Sequence, residues 1–224
     1  SPIRPKRVAS PGEKPLQALS NRGIEYIEVR CIDIAPYSRL GIDDQTIRFL
    51  DAFLLTCLNT DSPPCDENEF AQIGENQARI VHQGRKPGIS IFVNSKEVPM
   101  AVQAKSIFSN ILAAALALDL AHNTDSYTVS VNAQLDKVDN PEITPSGRLT
   151  EELNTNKLRY IERINELSNN YMTQHRTTII DKELKDSLET QAKESIIKQR
   201  EIENSDTLTL TEYLDDYFSN NRSH

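Results

Sequence analysis

The chain has the length, composition and charge of an ordinary globular protein: 224 residues, of which 38% are hydrophobic and 26% charged. Its formal net charge of -8 argues against a general nucleic-acid binder, because phosphates attract an excess of Lys and Arg. The longest apolar run, 111–118, is shorter than the roughly 18 residues of a membrane span, so we expect no membrane partner.

Three cysteines without metal-ligand spacing predict a reducing, cytoplasmic setting. Two of them lie in apolar surroundings, which favours small buried thiols, and Cys57 in particular is predicted to be a core residue. The sequence opens at Ser1 without a Met or a signal-peptide pattern. We therefore expect no secretory address and a start within a longer protein.

The first hundred residues predict three strands and two helices. The basic, Pro-rich segment 1–20 predicts a short strand or extended arm followed by a loop. The segment GIEYIEVRCIDI at 23–34 predicts a strand, and GISIFVNS from Gly88 predicts another. Three strands, one of them charged, make a poor closed core. We therefore expect these strands to be part of a larger sheet.

Two helices are predicted between these strands. The first is capped by Asp43 or Asp44 and runs to about Leu58, and the second ends at Gly84, predicted to be a left-handed cap. The apolar positions of the first helix recur at helical spacing and predict one buried stripe. They are Ile47, Leu50, Leu54, Cys57 and Leu58.

From Pro99 onward the pattern is almost entirely helical. Helices are predicted over 99–121, 126–138, 147–172, 180–203 and 210–219. The predicted fold class is α+β, with antiparallel strands followed by a mostly helical C-terminal region. The predicted domains are 1–98, part of a catalytic domain, and 99–224, the helical region.

The most informative stretch is the charged strand. Alternation places Glu28 and Arg30 on one face with Ile24, Tyr26 and Ile32, a mixture that suits the floor of a cleft better than a wet surface. A surface salt bridge is the alternative explanation, since exposed sheet faces are routinely charged.

On a cleft floor, this strand could bind a metal-bound nucleoside triphosphate. Glu28 offers a hard oxygen ligand for Mg²⁺, and Arg30 offers a planar fork for phosphate oxygens. Arg4 and Lys6, two residues apart on an extended segment, would add positive charge if their strand neighbours the first. Phosphoryl transfer to a carboxylate would then give an acyl phosphate that an amine could displace.

The segments IRPKR at 3–7, the long stretch 23–55 and GRKPG at 84–88 together resemble the C-terminal portion of the bacterial type of glutamate-cysteine ligase. The resemblance implies a glutamine-synthetase-like antiparallel sheet. It also implies ligation of L-glutamate, through its gamma-carboxylate, to L-cysteine with ATP and Mg²⁺, the first step of glutathione biosynthesis. The intermediate would be a gamma-glutamyl phosphate.

The resemblance assigns roles to four residues. Glu28 would bind Mg²⁺, Arg30 would contact the transferred phosphate, and Arg4 and Lys6 would lie on the nucleotide or substrate side. Members of this family are about twice as long or more, and their N-terminal half supplies most metal ligands and substrate pockets. The chain alone is therefore expected to be inactive and to need that half as its partner.

Two other functions stay open. The chain could be a non-catalytic helical interaction module, or a related carboxylate-amine ligase with another amine substrate. The sequence lacks P-loop and Rossmann glycine patterns, and its four histidines lack zinc-site spacing. In GRKPG, a helix-to-strand connection is the simplest role.

Overall fold

The computed structural model describes residues 3–10 and 12–219. Its described strands form two antiparallel pairs, β1 (Ile3–Lys6) with β2 (Tyr26–Val29), and β3 (Ser90–Val93) with β4 (Lys96–Pro99). Its described α-helices are α1 (Pro15–Arg22), α2 (Asp44–Leu58), α3 (Glu67–Gln83), α4 (Met100–His122), α5 (Ser126–Asp139), α6 (Pro145–Asn156), α7 (Tyr160–Thr177), α8 (Lys182–Ser205) and α9 (Leu210–Ser219). The predicted fold class, antiparallel strands followed by a mostly helical region, is confirmed.

The chain divides into two compact units. One comprises Ser1–Asp33 and Gln174–His224, and the other comprises Ile34–Thr173. The first unit contains β1, α1, β2, α8 and α9. The second contains α2 to α6, the β3–β4 hairpin and most of α7. The predicted division at residue 98 stays a prediction.

The core of the second unit lies between α2, α4 and α5. Its fully or nearly fully buried members are Ala52, Phe108, Ile111, Ala115 and Val131. The Phe49 and Phe108 rings stack with their centroids 5.6 Å apart, so α2 and α4 meet through aromatic contact. Close packing of this kind is the main stabilising contribution that the helical region can make.

Two segments fold differently from the prediction in the first hundred residues. Pro15 begins α1 instead of breaking structure, because proline is well suited to the first turn of a helix. The charged strand is only four residues long, not 23–34, because Cys31 has a φ of 61°, which ends the extended alternation.

The β3–β4 hairpin contains a strand that the sequence reasoning missed. Asn94 and Ser95 both have positive φ, as a two-residue hairpin turn requires, and the chain turns back into Lys96–Pro99. The described strands therefore number four instead of three. In the helical region, the predicted helix 147–172 is two helices, because Lys157 adopts the left-handed conformation at the end of α6.

Two predictions about α2 and its neighbour are wrong in detail. Asp43 does cap α2, accepting a hydrogen bond from the Thr46 backbone N–H at 2.7 Å. However, the helix turns Ala52 and its flanking phenylalanines toward the core, whereas Ile47 and Leu58 of the predicted stripe stay exposed. The end of α3 also differs, since Gly84 is right-handed instead of left-handed.

The predicted buried thiols are also wrong. Cys31, Cys57 and Cys65 are all free and exposed. Cys57 is exposed because α2 packs through the face that carries Ala52, so the thiol faces away from that contact.

One helix of the described residues, α4, is long and apolar enough to cross a membrane by length and composition. Its 23 residues include three members of the core between α2, α4 and α5. A core helix passes the same test, so the absence of a membrane partner stays a prediction.

Candidate functional site

The four residues singled out by sequence come together on the β1–β2 pair. The strands pair antiparallel with Arg4 opposite Glu28 and Lys6 opposite Tyr26. Residues directly opposite each other share a face, so Arg4, Lys6, Tyr26 and Glu28 lie on the same side. We call this side, together with Arg30, the charged face. The neighbouring strand that the sequence argument required is therefore present.

Glu28 is the centre of the charged face. Its Oε2 lies 2.9 Å from Lys6 Nζ, and its Oε1 lies 3.1 Å from Arg30 Nε. All three side chains are between 38% and 42% exposed, so solvent reaches the cluster. Exposed ion pairs of this kind contribute little to stability. Their effect here is to concentrate charged groups on one side of the strand pair.

The cations around Glu28 favour its ionised form. The hydrogen bond from Lys6 lowers the pKa of Glu28 most; partial desolvation opposes it, and the charges of Lys6, Arg30 and Arg4 lower the pKa further. Glu28 is therefore an anion at neutral pH. With three cations and one carboxylate, the cluster carries a formal excess of two positive charges, which suits a polyanionic ligand such as a nucleotide phosphate.

The donor set fits one part of a Mg²⁺ site. Mg²⁺ is commonly held by one or two carboxylates together with substrate phosphates, and Glu28 supplies one such carboxylate. Within 3–10 and 12–219, no group of three or more His, Cys, Asp or Glu side chains could hold a metal ion. A metal at Glu28 would then share this carboxylate with substrate phosphates and water.

The charged face is an open surface. Two cavities, of about 220 and 380 Å³, lie in Ile34–Thr173, and none of the four candidate residues lines either one. Substrate sites are usually concave, because enclosure excludes water from the reacting groups. The residues that line these two cavities therefore supply no walls for a site on this face.

The apolar residues near the charged face are also uncovered in the chain. Ile24 is 63% exposed and Tyr26 is 51% exposed. An exposed apolar patch beside unpaired strand edges is typical of a surface that another polypeptide covers.

The GRKPG segment has a structural role in the described residues. Gly84 follows α3, and Gly88 has a φ of 71° where the chain turns into β3. Arg85 donates to Glu142 at 3.1 Å, in the turn before α6, and to Thr150 at 3.3 Å, within α6, which ties this connection to that helix. These contacts agree with the helix-to-strand connection expected from the sequence.

Comparison with known proteins shows what this segment is similar to. Residues 1–80, which contain the charged face, match the family model described as glutamate-cysteine ligase. Over these residues the chain is similar to glutamate-cysteine ligases.

Curated relatives extend this similarity along nearly the whole chain. A glutamate-cysteine ligase from Aliivibrio salmonicida is 40% identical over 98% of the chain, and one from Saccharophagus degradans is 39% identical over 97%. The chain covers only 42% and 41% of these two relatives. It therefore spans about two fifths of their length.

Solved structures agree with the sequence matches. The glutamate-cysteine ligase from Francisella tularensis, solved in complex with AMP, superposes with a TM-score of 0.88 at 29% identity. The superposition covers 99% of this chain and 44% of that one. A bifunctional glutathione synthetase from Pasteurella multocida, at 20% identity and a TM-score of 0.58, shares the fold over 78% of the chain and 21% of its own.

Proposed function

We propose that the chain is the C-terminal portion of an ATP-dependent glutamate-cysteine ligase and contributes the charged face to its active site. The observation that carries this proposal is the meeting of Arg4, Lys6 and Arg30 around Glu28. All four residues lie within the segment 1–80 that matches the family. A triphosphate and a developing acyl phosphate are the anions that such a cluster suits.

The proposed reaction has two steps. A gamma-carboxylate oxygen of L-glutamate attacks the terminal phosphorus of ATP, the bond to the bridging oxygen breaks, and ADP leaves. The amine of L-cysteine then attacks the carbonyl carbon of the gamma-glutamyl phosphate, losing a proton and expelling phosphate. Arg30 would stabilise negative charge on the transferred phosphoryl group, while Arg4 and Lys6 would orient the nucleotide.

Glu28 would hold Mg²⁺ against the phosphates, and bound Mg²⁺ would neutralise part of their charge. Both carboxylate oxygens of Glu28 face cations in the structure. Binding of the nucleotide would therefore transfer Lys6 and Arg30 from Glu28 to phosphate oxygens. Lys6 and Arg30 would contact Glu28 in the free protein and phosphate oxygens in the nucleotide complex, with little loss of favourable electrostatic contact.

The proposed partner is the remaining, N-terminal portion of the enzyme. It would supply the further metal ligands and the walls that the open charged face lacks, and it would cover Ile24 and Tyr26. A cytoplasmic location is proposed with it, since the three exposed cysteines of the chain are free thiols, as a reducing compartment favours.

Reconstitution tests the proposal. The chain would be produced together with the N-terminal remainder of its enzyme and supplied with L-glutamate, L-cysteine, ATP and Mg²⁺. We expect equal amounts of gamma-glutamylcysteine, ADP and phosphate from the assembled enzyme, and none from the chain alone. Native mass spectrometry of the assembled sample should show a species heavier than 25.3 kDa that retains nucleotide.

The two alternatives give different results in the same assay. A related carboxylate-amine ligase would consume ATP with another amine in place of L-cysteine. A non-catalytic helical interaction module would assemble with its partner but form no product and hold no Mg²⁺-dependent nucleotide. Either result would overturn the proposed substrate pair.

A further inference from the structure

Two arginines outside the charged face hold the connection between β1 and β2. Arg7, immediately after β1, donates from Nε to the Gly23 carbonyl oxygen at 2.9 Å and from Nη2 to the Arg22 carbonyl oxygen. Arg22, at the end of α1, donates from Nη2 to the Val8 carbonyl oxygen at 2.9 Å. Arg7, at the start of the connection, therefore binds the backbone near its end, and Arg22, near its end, binds the backbone at its start. We call Arg7 and Arg22 the arginine clamp.

Two carboxylates complete the clamp. Glu13 lies 2.7 Å from Arg22 Nη2 and also accepts a hydrogen bond from the Ser10 backbone N–H at 2.9 Å. Glu25 accepts from the Val8 backbone N–H at 3.1 Å. The Glu25 N–H donates to the Lys6 carbonyl oxygen at 2.9 Å, so the clamp continues directly into the strand pairing.

The strand pair needs such a device because it is short. Only four residues of each strand pair, from Ile3 opposite Val29 to Lys6 opposite Tyr26. A slip of one residue would turn every side chain of one strand to the other side of the sheet. Arg4 and Lys6 would then face away from Glu28. The hydrogen bonds of the clamp to the backbone carbonyls of Arg22, Gly23 and Val8 are formed in the observed register.

We propose that Arg7 and Arg22 are positioning residues, which set the β1–β2 register and thereby hold Arg4 and Lys6 beside Glu28 for phosphoryl transfer. This inference rests on the proposed ligase function. Neither arginine lies on the charged face, so neither is a catalytic residue. Their effect on turnover would pass entirely through the placement of the strand pair.

The test compares Arg22→Ala, Arg22→Lys and Arg7→Lys in the reconstituted enzyme, with Arg200→Ala as the control. Arg200 lies on α8, is exposed, and has no ion pair within 3–10 and 12–219. Hydrogen exchange of 3–8 and 23–29 reports the strand pairing, and steady-state kinetics separate kcat from KM. Circular dichroism confirms that each variant is folded.

We expect Arg22→Ala to speed exchange in both segments and to lower kcat by about tenfold to a hundredfold, the scale of a misplaced catalytic group. The KM for L-cysteine should change less than about twofold, because the clamp is not expected to touch that substrate. Arg22→Lys keeps an ammonium beside Glu13 but loses the second nitrogen donor of the guanidinium. Its exchange rate and its kcat should therefore lie between those of the native enzyme and those of Arg22→Ala. Arg7→Lys should weaken the pairing in the same way. Arg200→Ala should change neither readout.

Three results would overturn the inference. One is unchanged exchange in Arg22→Ala, whatever happens to turnover. Another is rapid exchange in Arg22→Ala with a normal kcat, while Glu28→Gln is inactive. This result would show that the register of the strand pair does not matter for the reaction. The last is normal turnover in Glu28→Gln itself, which would remove the proposed site and the positioning role with it. Exchange would then still report, separately, whether the clamp sets the register.

Discussion

Arg4 and Glu28 stand directly opposite each other in the antiparallel β1–β2 pair, although 24 positions separate them in the chain. Opposite charges across a strand pair support the pairing. The arrangement also sets Arg4 beside the carboxylate that Lys6 and Arg30 contact. A short strand pair thus gathers the anion-binding groups of a proposed active site.

The central prediction concerns Glu28 and Arg30. In the reconstituted enzyme, Glu28→Gln or Arg30→Ala should lower kcat at least about a hundredfold, the scale of losing one preorganised charge-stabilising contact. Glu194→Gln and Arg200→Ala, both on exposed positions of α8, are matched controls that should leave kcat unchanged. Near-normal turnover in both Glu28 and Arg30 variants would remove the charged face from the mechanism.

Lys6 should affect nucleotide binding more than chemistry. Lys6→Gln removes one charge-assisted hydrogen bond, a loss of about 1.5–3 kcal/mol, and should weaken ATP binding by tenfold or more. Lys198→Gln on α8 is the control for a lost positive charge elsewhere. Isothermal titration of the assembled enzyme with ATP and Mg²⁺ measures the effect. Equal affinities of the Lys6 variant and its control would contradict a nucleotide role.

Asp119 should stabilise the helical region. Its buried carboxylate, on α4, accepts backbone N–H bonds from Tyr127 and Thr128 in the first turn of α5, both at 2.9 Å. Asp119→Asn can accept only one of these bonds well and loses the charge that favours the helix N-terminus. Urea unfolding should show a loss of about 1–3 kcal/mol relative to the exposed control Asp186→Asn.

The contribution of Asp119 should depend on pH. Burial raises its pKa, but the hydrogen bonds from Thr128 and Tyr127 outweigh burial, so the pKa lies below the ordinary value of 3.8. A carboxylate with a lowered pKa in the folded state stabilises above the unfolded pKa, and this stability is lost as the pH falls through the folded value. The stability difference between the native chain and Asp119→Asn should therefore shrink below about pH 4. A constant difference between pH 7 and pH 3 would contradict this account.

Tyr37 should stabilise the loop that follows residue 34. Its hydroxyl donates to Glu152 Oε2 at 2.8 Å, and Arg148 lies over its ring at 4.2 Å. Tyr37→Phe removes only the hydrogen bond and should cost about 1 kcal/mol. Tyr37→Ala also removes the ring and should cost more, since the contact with Arg148 is then lost. Tyr160→Phe, at an exposed tyrosine, is the control in thermal unfolding. Equal melting temperatures for the two phenylalanine variants would exclude a stabilising role for the hydroxyl.

Local signals in the sequence were sufficient for most helices. An aspartate in front of an apolar run, Asp43 or Asp44, predicted the start of α2, and the long apolar pattern predicted α4 nearly to the residue. The alternation around Glu28 also predicted that it shares a face with Tyr26. These features depend on neighbours three or four positions apart, or on a period of two, which a single sequence displays directly.

Tertiary structure decided which side chains are buried and which residues distant in sequence contact each other. Cys57 looked like a core residue, yet α2 packs through Ala52 because α4 and α5 lie on that side. Likewise, the sequence alone could not show that Arg4 lies opposite Glu28, because a register depends on hydrogen bonds between distant segments. The sequence by itself predicted most of the helices, the charged strand and the resemblance to a family of ligases. Only the folded structure could determine the register that brings the charges together, because strand pairing is a non-local choice that the connection between the strands must fix.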